Sequence, residues 1–379
     1  MTFSQLFSRL PPYFFWHLVT WVRPILVNIL LWFLLVRPLR PSRPYKILLA
    51  LLLVLDAAQA PIILHLGGNH LMPDLSAPFY AALQLLRGLV SLTFLELLLL
   101  WPILLLARRL RPRFRTIVLV LLLANAALLA TAFTSALLPP RVTVLEVPIP
   151  NLPPALDGYR ILHITDIHAD PIAGAWRTRA IVRRANAAAP DLVCITGDFA
   201  DGSCARLAPA LAPLADLRAP DGIYACTGNH EYYPPSVNSG WPAYFASLGI
   251  HFPDAAPALI PRANTHLAVA SLPDNAPPGA PLPPLPGDIN LYLKHRPVDL
   301  APLAAAGAHL ILSGHTHGGQ FPPLTLLVAA ANEGHLSGLY PIAPRTLLHV
   351  SPGAGQWNGL PYRFLRPSEL PLLVLRPAA

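Results

Sequence analysis

Four long apolar stretches occupy the first 140 residues, and they constrain the fold of this chain more than any other feature. They run near 14–36, 47–66, 88–106 and 116–138. A helix of about 20 apolar residues is long enough to cross the hydrocarbon core of a bilayer. The composition agrees, because 54% of the 379 residues are hydrophobic and only 12% are charged. We therefore expect an all-α transmembrane bundle of about four helices in residues 1–140, with the lipid bilayer as a partner.

Positive charges are concentrated in two of the loops between these stretches. Residues 1–140 contain 12 Lys and Arg residues against 3 Asp and Glu residues, whereas 141–379 contain 15 against 16. The basic residues lie around 37–46 and 108–115, and the loop 67–78 has none. Because basic loops stay in the cytoplasm, this pattern predicts a multi-pass protein of the cell membrane with an extracytoplasmic C-terminal domain. The balanced charge of that domain gives no reason to expect a nucleic-acid partner.

After Pro139-Pro140 the apolar runs shorten to strand length and alternate with helical patches such as 176–189. The chain therefore divides into a membrane domain, 1–140, and a second domain, 141–379, held close to the bilayer by a short linker. Five runs of the second domain read as strands, and the pattern is typical of an α/β fold. These predicted strands are 159–165, 192–196, 223–227, 289–294 and 308–312.

Each of the five predicted strands is followed directly by metal-ligand side chains. In chain order these are Asp166 and His168, Asp198, Asn229 with His230, His295, and finally His315 with His317. Ligands of open α/β sheets bind at the carboxyl ends of the strands, so we expect these side chains to converge. A mixed set of oxygen and nitrogen donors without thiolate favours Mn, Fe or Zn.

His315 and His317 are the most conspicuous pair of candidate metal ligands, because they stand two residues apart beside glycines. On an extended backbone, side chains at i and i+2 point the same way, so the two imidazoles can face one metal site. The simpler interpretation of this segment alone is a polar loop with two surface histidines. The ligands supplied by the four earlier strands favour the metal site.

The strand ends carry five motifs, which are Asp-x-His, Gly-Asp-x-x-Asp, Gly-Asn-His-Glu, a lone His before Arg-Pro, and Gly-His-Thr-His. These motifs resemble those of the calcineurin-like metallophosphoesterase superfamily. The resemblance covers roughly 141–379. Two longer segments follow the apolar stretches, and their wording is similar to that of the branch of transmembrane proteins with a metallophosphoesterase domain. They are Thr-Gly-Asn-His-Glu-Tyr-Tyr and Ser-Gly-His-Thr-His-Gly-Gly-Gln. The fold that this implies is a four-layer α/β/β/α sandwich with a dinuclear metal site.

The resemblance also implies a role for each side chain. It assigns one divalent ion to Asp166, His168, Asp198 and His317, and a second to Asp198, Asn229, His295 and His315. It makes His230 the catalytic acid, while Asp201 and Glu231 are expected to orient ligands instead of binding metal. The resemblance and the short linker together indicate a membrane-anchored, metal-dependent hydrolase of a membrane-proximal or cell-envelope phosphoester, such as a lipid-linked one. The alternatives are a pyrophosphatase of nucleotide-sugar or glycolipid precursors on the cytoplasmic face, and a non-catalytic membrane sensor or transport component.

Several other residues have two interpretations in the sequence. His163 can point toward the site or simply pack, and packing is favoured. Arg296 can contact a phosphate or lie in solvent. The Pro-rich segment 273–288 must be a loop, either at the rim of the site or elsewhere on the surface. Polar residues at membrane depth indicate either function or pairing between helices, and pairing is favoured. These are Arg23, Asp56, Arg87, Glu96 and Asn125.

Overall fold

The structure, a computed structural model, describes residues 21–66, 75–107, 112–233, 239–277, 279–357 and 361–378. The chain divides into two compact units, Met1–Thr131 and Ala132–Ala379. The α-helices are α1 (Arg23–Leu31), α2 (Arg37–Leu39), α3 (Arg43–Ala57), α4 (Gln59–Leu66), α5 (Ala77–Leu106), α6 (Phe114–Leu137), α7 (Ala175–Ala187), α8 (Cys204–Leu211), α9 (Trp241–Ser247), α10 (Ala301–Ala305) and α11 (Pro322–Ala331). The strands are β1 (Arg141–Ile149), β2 (Arg160–Ile164), β3 (Leu192–Thr196), β4 (Ile223–Cys226), β5 (Ala258–Arg262), β6 (Thr265–Leu272), β7 (Ile289–Lys294), β8 (Leu310–Ser313), β9 (Gly338–Ala343), β10 (Thr346–Val350) and β11 (Glu369–Pro377).

Two of the described N-terminal helices, α5 and α6, are long and apolar enough to cross a membrane. Helices α3 and α4 pass the same test only as a pair, which bends by 58° where they meet. Pro61 explains the break, because it has no N–H with which to continue the hydrogen bonding of α3. Of the predicted first span, residues 14–20 lie outside the described residues and 21–36 are helical.

The polar residues within these helices pair with one another. Arg87 Nε lies 3.4 Å from Asp56 Oδ1, and Asn28 Nδ2 donates to Asp56 Oδ2 at 2.8 Å. Asn125 Nδ2 donates to Glu96 Oε2 at 2.8 Å. The favoured interpretation, pairing between helices, is confirmed for these residues, since an unpaired polar group in hydrocarbon is costly.

Two mixed sheets form the centre of the second unit. Their strand orders are β1-β11-β2-β3-β4 and β5-β6-β7-β8-β10-β9. Strands β2, β3 and β4 run parallel, and so do β6, β7, β8 and β10. The carboxyl ends of parallel strands meet at one edge of a sheet, so the loops after β2, β3 and β4, and those after β7 and β8, gather in two neighbouring sets.

The side chains of β3 show how the layers are built. Val193 and Ile195 join the core cluster that includes residues of α7, α8 and α9, whereas Leu192 and Cys194 face the core between the two sheets. This alternation is that of a strand covered on both faces. Leu303 of α10 belongs to another cluster with residues of β7, β8 and β10. The expected four-layer α/β/β/α sandwich is confirmed.

Local predictions from the sequence agree closely with the observed elements. Strands 192–196 and 289–294 have the predicted bounds, and the helical patch 176–189 is observed at Ala175–Ala187. The described part of segment 273–288 contains no helix or strand. The other three strands differ from their predicted bounds by a few residues. The ends of a strand depend on its pairing partners, which the local sequence does not reveal.

Candidate metal centre

The loops after β2, β3, β4, β7 and β8 bring their polar side chains into three overlapping clusters. In each cluster one possible ligand atom per residue lies within 4.8 Å of the others. The clusters are Asp166 with His168 and His317, Asp198 with His295 and His315, and His168 with Asp198 and His230. Asn229, also predicted as a ligand, is buried directly before His230. All eight predicted site residues therefore lie at one end of the two sheets.

The backbone of these loops is unusual, because five of the predicted ligands have positive φ. The angles are 52° at Asp166, 44° at His168, 54° at Asp198, 68° at His315 and 50° at His317. Non-glycine residues rarely adopt this region, and such strain concentrates at functional sites. Gly197 turns the chain at φ 80° just before Asp198, where an added Cβ would overlap the backbone of Gly228. The glycine thus allows two strand-end loops to touch.

On one side of the centre, carboxylates and imidazoles face each other directly. His317 Nε2 lies 3.2 Å from Asp166 Oδ1 and 3.2 Å from His168 Nε2. His168 Nε2 also lies 3.5 Å from Asp198 Oδ2. These atoms belong to three different strand-end loops, so they could share a single ion only in the folded domain.

The other side of the centre is also built from imidazoles, and it shares Asp198 with the first side. His295 Nε2 lies 3.1 Å from Asp198 Oδ2, and His315 Nδ1 lies 3.2 Å from His295 Nε2. Oxygen Oδ2 of Asp198 therefore faces an imidazole from each half. The Oδ1 atom of Asn229 is buried without a hydrogen-bond partner among the described residues, while its Nδ2 lies 3.3 Å from the Tyr233 hydroxyl.

His315 and His317 do not face one ion from an extended segment, as the i, i+2 spacing suggested. Strand β8 ends at Ser313, and the chain then bends through positive φ at both histidines. As a result His317 faces Asp166 and His168, whereas His315 faces His295. The loop geometry, which alternation along a strand cannot describe, sends the two rings to opposite halves.

The electrostatics of the cluster suit a cation. Burial by itself would raise the pKa of Asp198, but His295 and His230 lower it below the ordinary carboxyl value. Burial lowers the pKa of His295, yet Asp198 raises it to about 10. The carboxylates thus favour positive charge among buried imidazoles, and facing ring nitrogens together with an unpartnered Asn229 oxygen suit divalent ions. The donor set therefore fits the expected metals.

Residues around the ligands fix their orientation. A single oxygen of Asp201, Oδ1, lies 2.9 Å from His168 Nδ1 and 2.6 Å from His230 Nδ1. Glu231 accepts hydrogen bonds from the backbone N–H groups of Asp198, Phe199 and Gly228 at 2.7–3.0 Å. Both carboxylates contact ligands or their backbone, in agreement with the orienting role expected from the sequence.

Known proteins that are similar to this chain match the part that contains the candidate metal centre. The sequence model of the Calcineurin-like phosphoesterase family matches residues 159–319. A "Transmembrane protein with metallophosphoesterase domain" of Danio rerio is 33% identical over 282 residues, which are 70% of this chain and 64% of that protein. An "Uncharacterized metallophosphoesterase" of Campylobacter jejuni is 31% identical over 269 residues, 68% of each chain.

The chain belongs to the calcineurin-like metallophosphoesterase family. It spans slightly under two thirds of the Danio rerio relative. A further relative, the "UDP-2,3-diacylglucosamine pyrophosphatase LpxG" of Chlamydia trachomatis, is 27% identical over 300 residues, 62% of this chain and 88% of that protein. The two candidate spans and the relatives named transmembrane proteins make this metallophosphoesterase a membrane protein.

The phosphoesterase domain also contains contacts that sequence reasoning missed. His163 is packed as favoured, and its Nδ1 lies 2.9 Å from Nδ1 of His349. Nη2 of Arg363 lies 3.3 Å from His317 Nδ1. Arg296 forms an ion pair with Asp274 at 3.1 Å. No local spacing signals such pairs, because the partners are far apart in sequence.

Proposed function

We propose that this chain is a membrane-anchored phosphoester hydrolase that works with two divalent metal ions, Mn, Fe or Zn. The observation that carries the proposal is the position of Asp198, whose Oδ2 atom lies 3.5 Å from His168 Nε2 and 3.1 Å from His295 Nε2. One carboxylate between two ligand clusters is the arrangement that a pair of neighbouring ions requires.

The first ion would be held by Asp166, His168, Asp198 and His317, and the second by Asp198, Asn229, His295 and His315. When bound, such ions supply Lewis acidity toward a phosphoryl oxygen and toward water. The ligand side chains would hold the two ions at fixed positions and, being nearly all buried, would exclude bulk water from the centre.

His230 is proposed as the catalytic acid. Its Nδ1 is held by Asp201 at 2.6 Å, and its Nε2 lies 4.0 Å from Asp198 Oδ2, which places Nε2 at the centre. As the P–O bond breaks, Nε2 would donate a proton to the departing oxygen and would regain one from solvent. Asp201 keeps the ring in the orientation that this transfer needs.

The proposed setting is a membrane domain, 1–140, that crosses the membrane several times, and a phosphoesterase domain, 141–379, on the extracytoplasmic side. The short linker after α6 and the basic loops support it. A substrate at or near the bilayer, such as a phospholipid, a lipid-linked intermediate or a cell-envelope phosphoester, follows from that position. The relative named for a diacylglucosamine pyrophosphatase also supports a lipid-linked substrate, and equally the alternative of a precursor pyrophosphatase on the cytoplasmic face.

The hydrolase proposal is tested on purified full-length protein in detergent. Metal analysis should find two divalent ions per chain, and chelation should abolish hydrolysis of phosphomonoesters, diesters or phospholipids until metal is restored. Asp198→Asn should lose metal and turnover together, because both clusters share that carboxylate. An Asp198→Asn protein that remains active would refute the dinuclear mechanism, and a metal-loaded wild type without activity would favour the sensor or transport alternative.

A further inference from the structure

Arg296 is a cation at the edge of the metal centre to which the proposed mechanism gives no role. It directly follows His295, so its backbone is fixed where strand β7 delivers a ligand. Its side chain is 41% exposed, and Nη2 lies 3.1 Å from Asp274 Oδ2. The guanidinium is therefore partly open to solvent, on the residue that directly follows a proposed ligand.

Asp274 holds this guanidinium firmly. The Asp274 side chain is only 9% exposed. Its backbone N–H donates to Thr227 Oγ1 at 3.4 Å, and that oxygen lies 2.8 Å from the Tyr232 hydroxyl. Asp274 is the second residue of the Pro-rich segment 273–288, so the ion pair fixes the beginning of this segment beside the loop after β4. Arg296 is thus pre-oriented, which lowers the entropy lost when it binds an anion.

The guanidinium has donors to spare. Its Nε atom is buried, and among the described residues it has no hydrogen-bond acceptor. A buried donor without an acceptor is costly unless a ligand completes it.

We propose that Arg296 is a specificity-determining residue that binds a second phosphate attached to the scissile one, so that the preferred substrate contains a pyrophosphate linkage. This inference rests on the proposed function. The seven metal ligands and His230 suffice for a single phosphate, whereas a second, anionic phosphate needs a cation of its own. A planar guanidinium with several N–H groups matches phosphate oxygens in number and direction.

The reaction at such a substrate needs no reagent other than water. The water oxygen bonds to the phosphorus at the metal centre and gives up a proton to solvent, and the bond from that phosphorus to the bridging oxygen breaks. The leaving phosphate takes the electron pair and a proton from His230 Nε2, giving two phosphate monoesters. Arg296 stays on the leaving phosphate and opposes the charge that develops there. A substrate with a pyrophosphate linkage would bind in this way on either face of the membrane.

The alternative is that the Arg296–Asp274 pair only stabilises a partly exposed surface. Pairs of this kind usually contribute little to stability. Removal of Arg296 would then leave the substrate preference unchanged. The two explanations therefore predict different kcat/KM values for substrates with one and with two phosphates.

The test compares two substrates on the full-length, metal-loaded protein: a nucleotide sugar with a pyrophosphate linkage, and bis-p-nitrophenyl phosphate, a diester with one phosphate. Arg296→Gln should lower kcat/KM for the nucleotide sugar at least about tenfold, mostly through KM, because a charge-assisted contact is lost. For bis-p-nitrophenyl phosphate the change should stay within about twofold. Arg296→Lys should be intermediate, since it keeps the charge but loses the planar geometry.

Arg262 offers a matched control, because it is 33% exposed and pairs with Asp191 and Asp221 away from the metal ligands. Arg262→Gln should leave both substrates unaffected. Equal losses on both substrates in Arg296→Gln, no loss on either, or a wild type that cleaves the diester but no pyrophosphate would overturn this inference and leave the hydrolase intact. A metal-loaded wild type that cleaves no phosphoester would overturn the proposed function itself, and this inference with it.

Discussion

Asp201 illustrates how single residues are placed at this centre, because one of its oxygens contacts two imidazoles. The contact fixes Nδ1 of His168 and Nδ1 of His230, so that both Nε2 atoms face Asp198. Burial by itself lowers the pKa of His168, but Asp201 and Asp166 raise it well above the ordinary imidazole value. In the proposed mechanism this carboxylate orients both a metal ligand and the catalytic acid, and it would therefore couple metal binding to proton transfer.

His230→Ala should keep both ions and lose most of the rate. Removal of a general acid typically costs about 10²–10⁴-fold in kcat. Metal content and kcat, measured on the same preparation, check this. A variant with the full wild-type rate would exclude His230 as the acid.

Asp201→Asn should reduce kcat by about tenfold or more and weaken metal binding as well, because outer partners of metal-bound histidines typically contribute 10–100-fold. The matched comparison is His230→Ala, in which metal affinity should not change. Metal titration without substrate separates the two. Unchanged metal affinity in Asp201→Asn would show that Asp201 acts only through His230.

The strand-end loops are connected to one another by buried polar residues. Glu231, in the turn after β4, accepts from the loop after β3, and Thr165 after β2 donates to the carbonyl of Thr196 at 2.9 Å. Across the two sheets, His163 of β2 contacts His349 of β10. Such contacts hold the ligand loops in conformations with positive φ that they would not keep by themselves.

Glu231→Gln should destabilise this arrangement, since an amide oxygen is a weaker acceptor than a carboxylate for three backbone N–H groups. The loss should be about 1–3 kcal/mol, visible as a lower thermal midpoint together with reduced activity. Glu333→Gln is a suitable control, because Glu333 is exposed and accepts one hydrogen bond, from Asp299 N–H. Equal midpoints for the two variants would contradict the role of Glu231.

The His163–His349 pair predicts sensitivity to acid. Burial lowers the pKa of His349 to about 4, and burial with the neighbouring His349 lowers that of His163 well below 6.5. The unfolded chain therefore binds more protons between about pH 6.5 and 4, and stability is lost as the pH falls through this window. Each group contributes up to about 1.4 kcal/mol per pH unit.

His349→Gln, which cannot titrate, should make the decline of the thermal midpoint between pH 7 and pH 4 shallower than in the wild type. The comparison should be made at saturating metal, so that the metal ligands do not titrate. A variant with the same decline as the wild type would show that this pair is not the acid-sensitive element.

At the scale of the whole molecule, a membrane part and a metallophosphoesterase domain occur in one chain. Helices α5 and α6 are apolar enough to span a membrane, and β1 begins four residues after α6 ends. Basic residues precede α6, between it and α5. These charges favour a cytoplasmic position for that loop and the opposite side for the domain after α6.

A topology reporter fused after Pro140 should be active only outside the cytoplasm. The same reporter fused after Arg111, in the basic loop, should be active only inside and serves as the control. If the fusion after Pro140 is active in the cytoplasm, the proposed orientation is wrong, and a precursor pyrophosphatase on the cytoplasmic face becomes the better explanation.

The sequence by itself determined the apolar N-terminal stretches, the strand bounds at 192–196 and 289–294, and the residues that follow each strand. These features are local, because burial of an apolar run and the turn after it depend on a few neighbouring residues. The spacing of His315 and His317 suggested that they face together, whereas the family resemblance assigned them to different ions. Only the tertiary structure decided how the loop turns each ring, that Asp201 contacts two rings, and that His163 meets His349. Those contacts join residues up to 186 positions apart, and they depend on positive backbone angles and strand order, for which single residues give no signal.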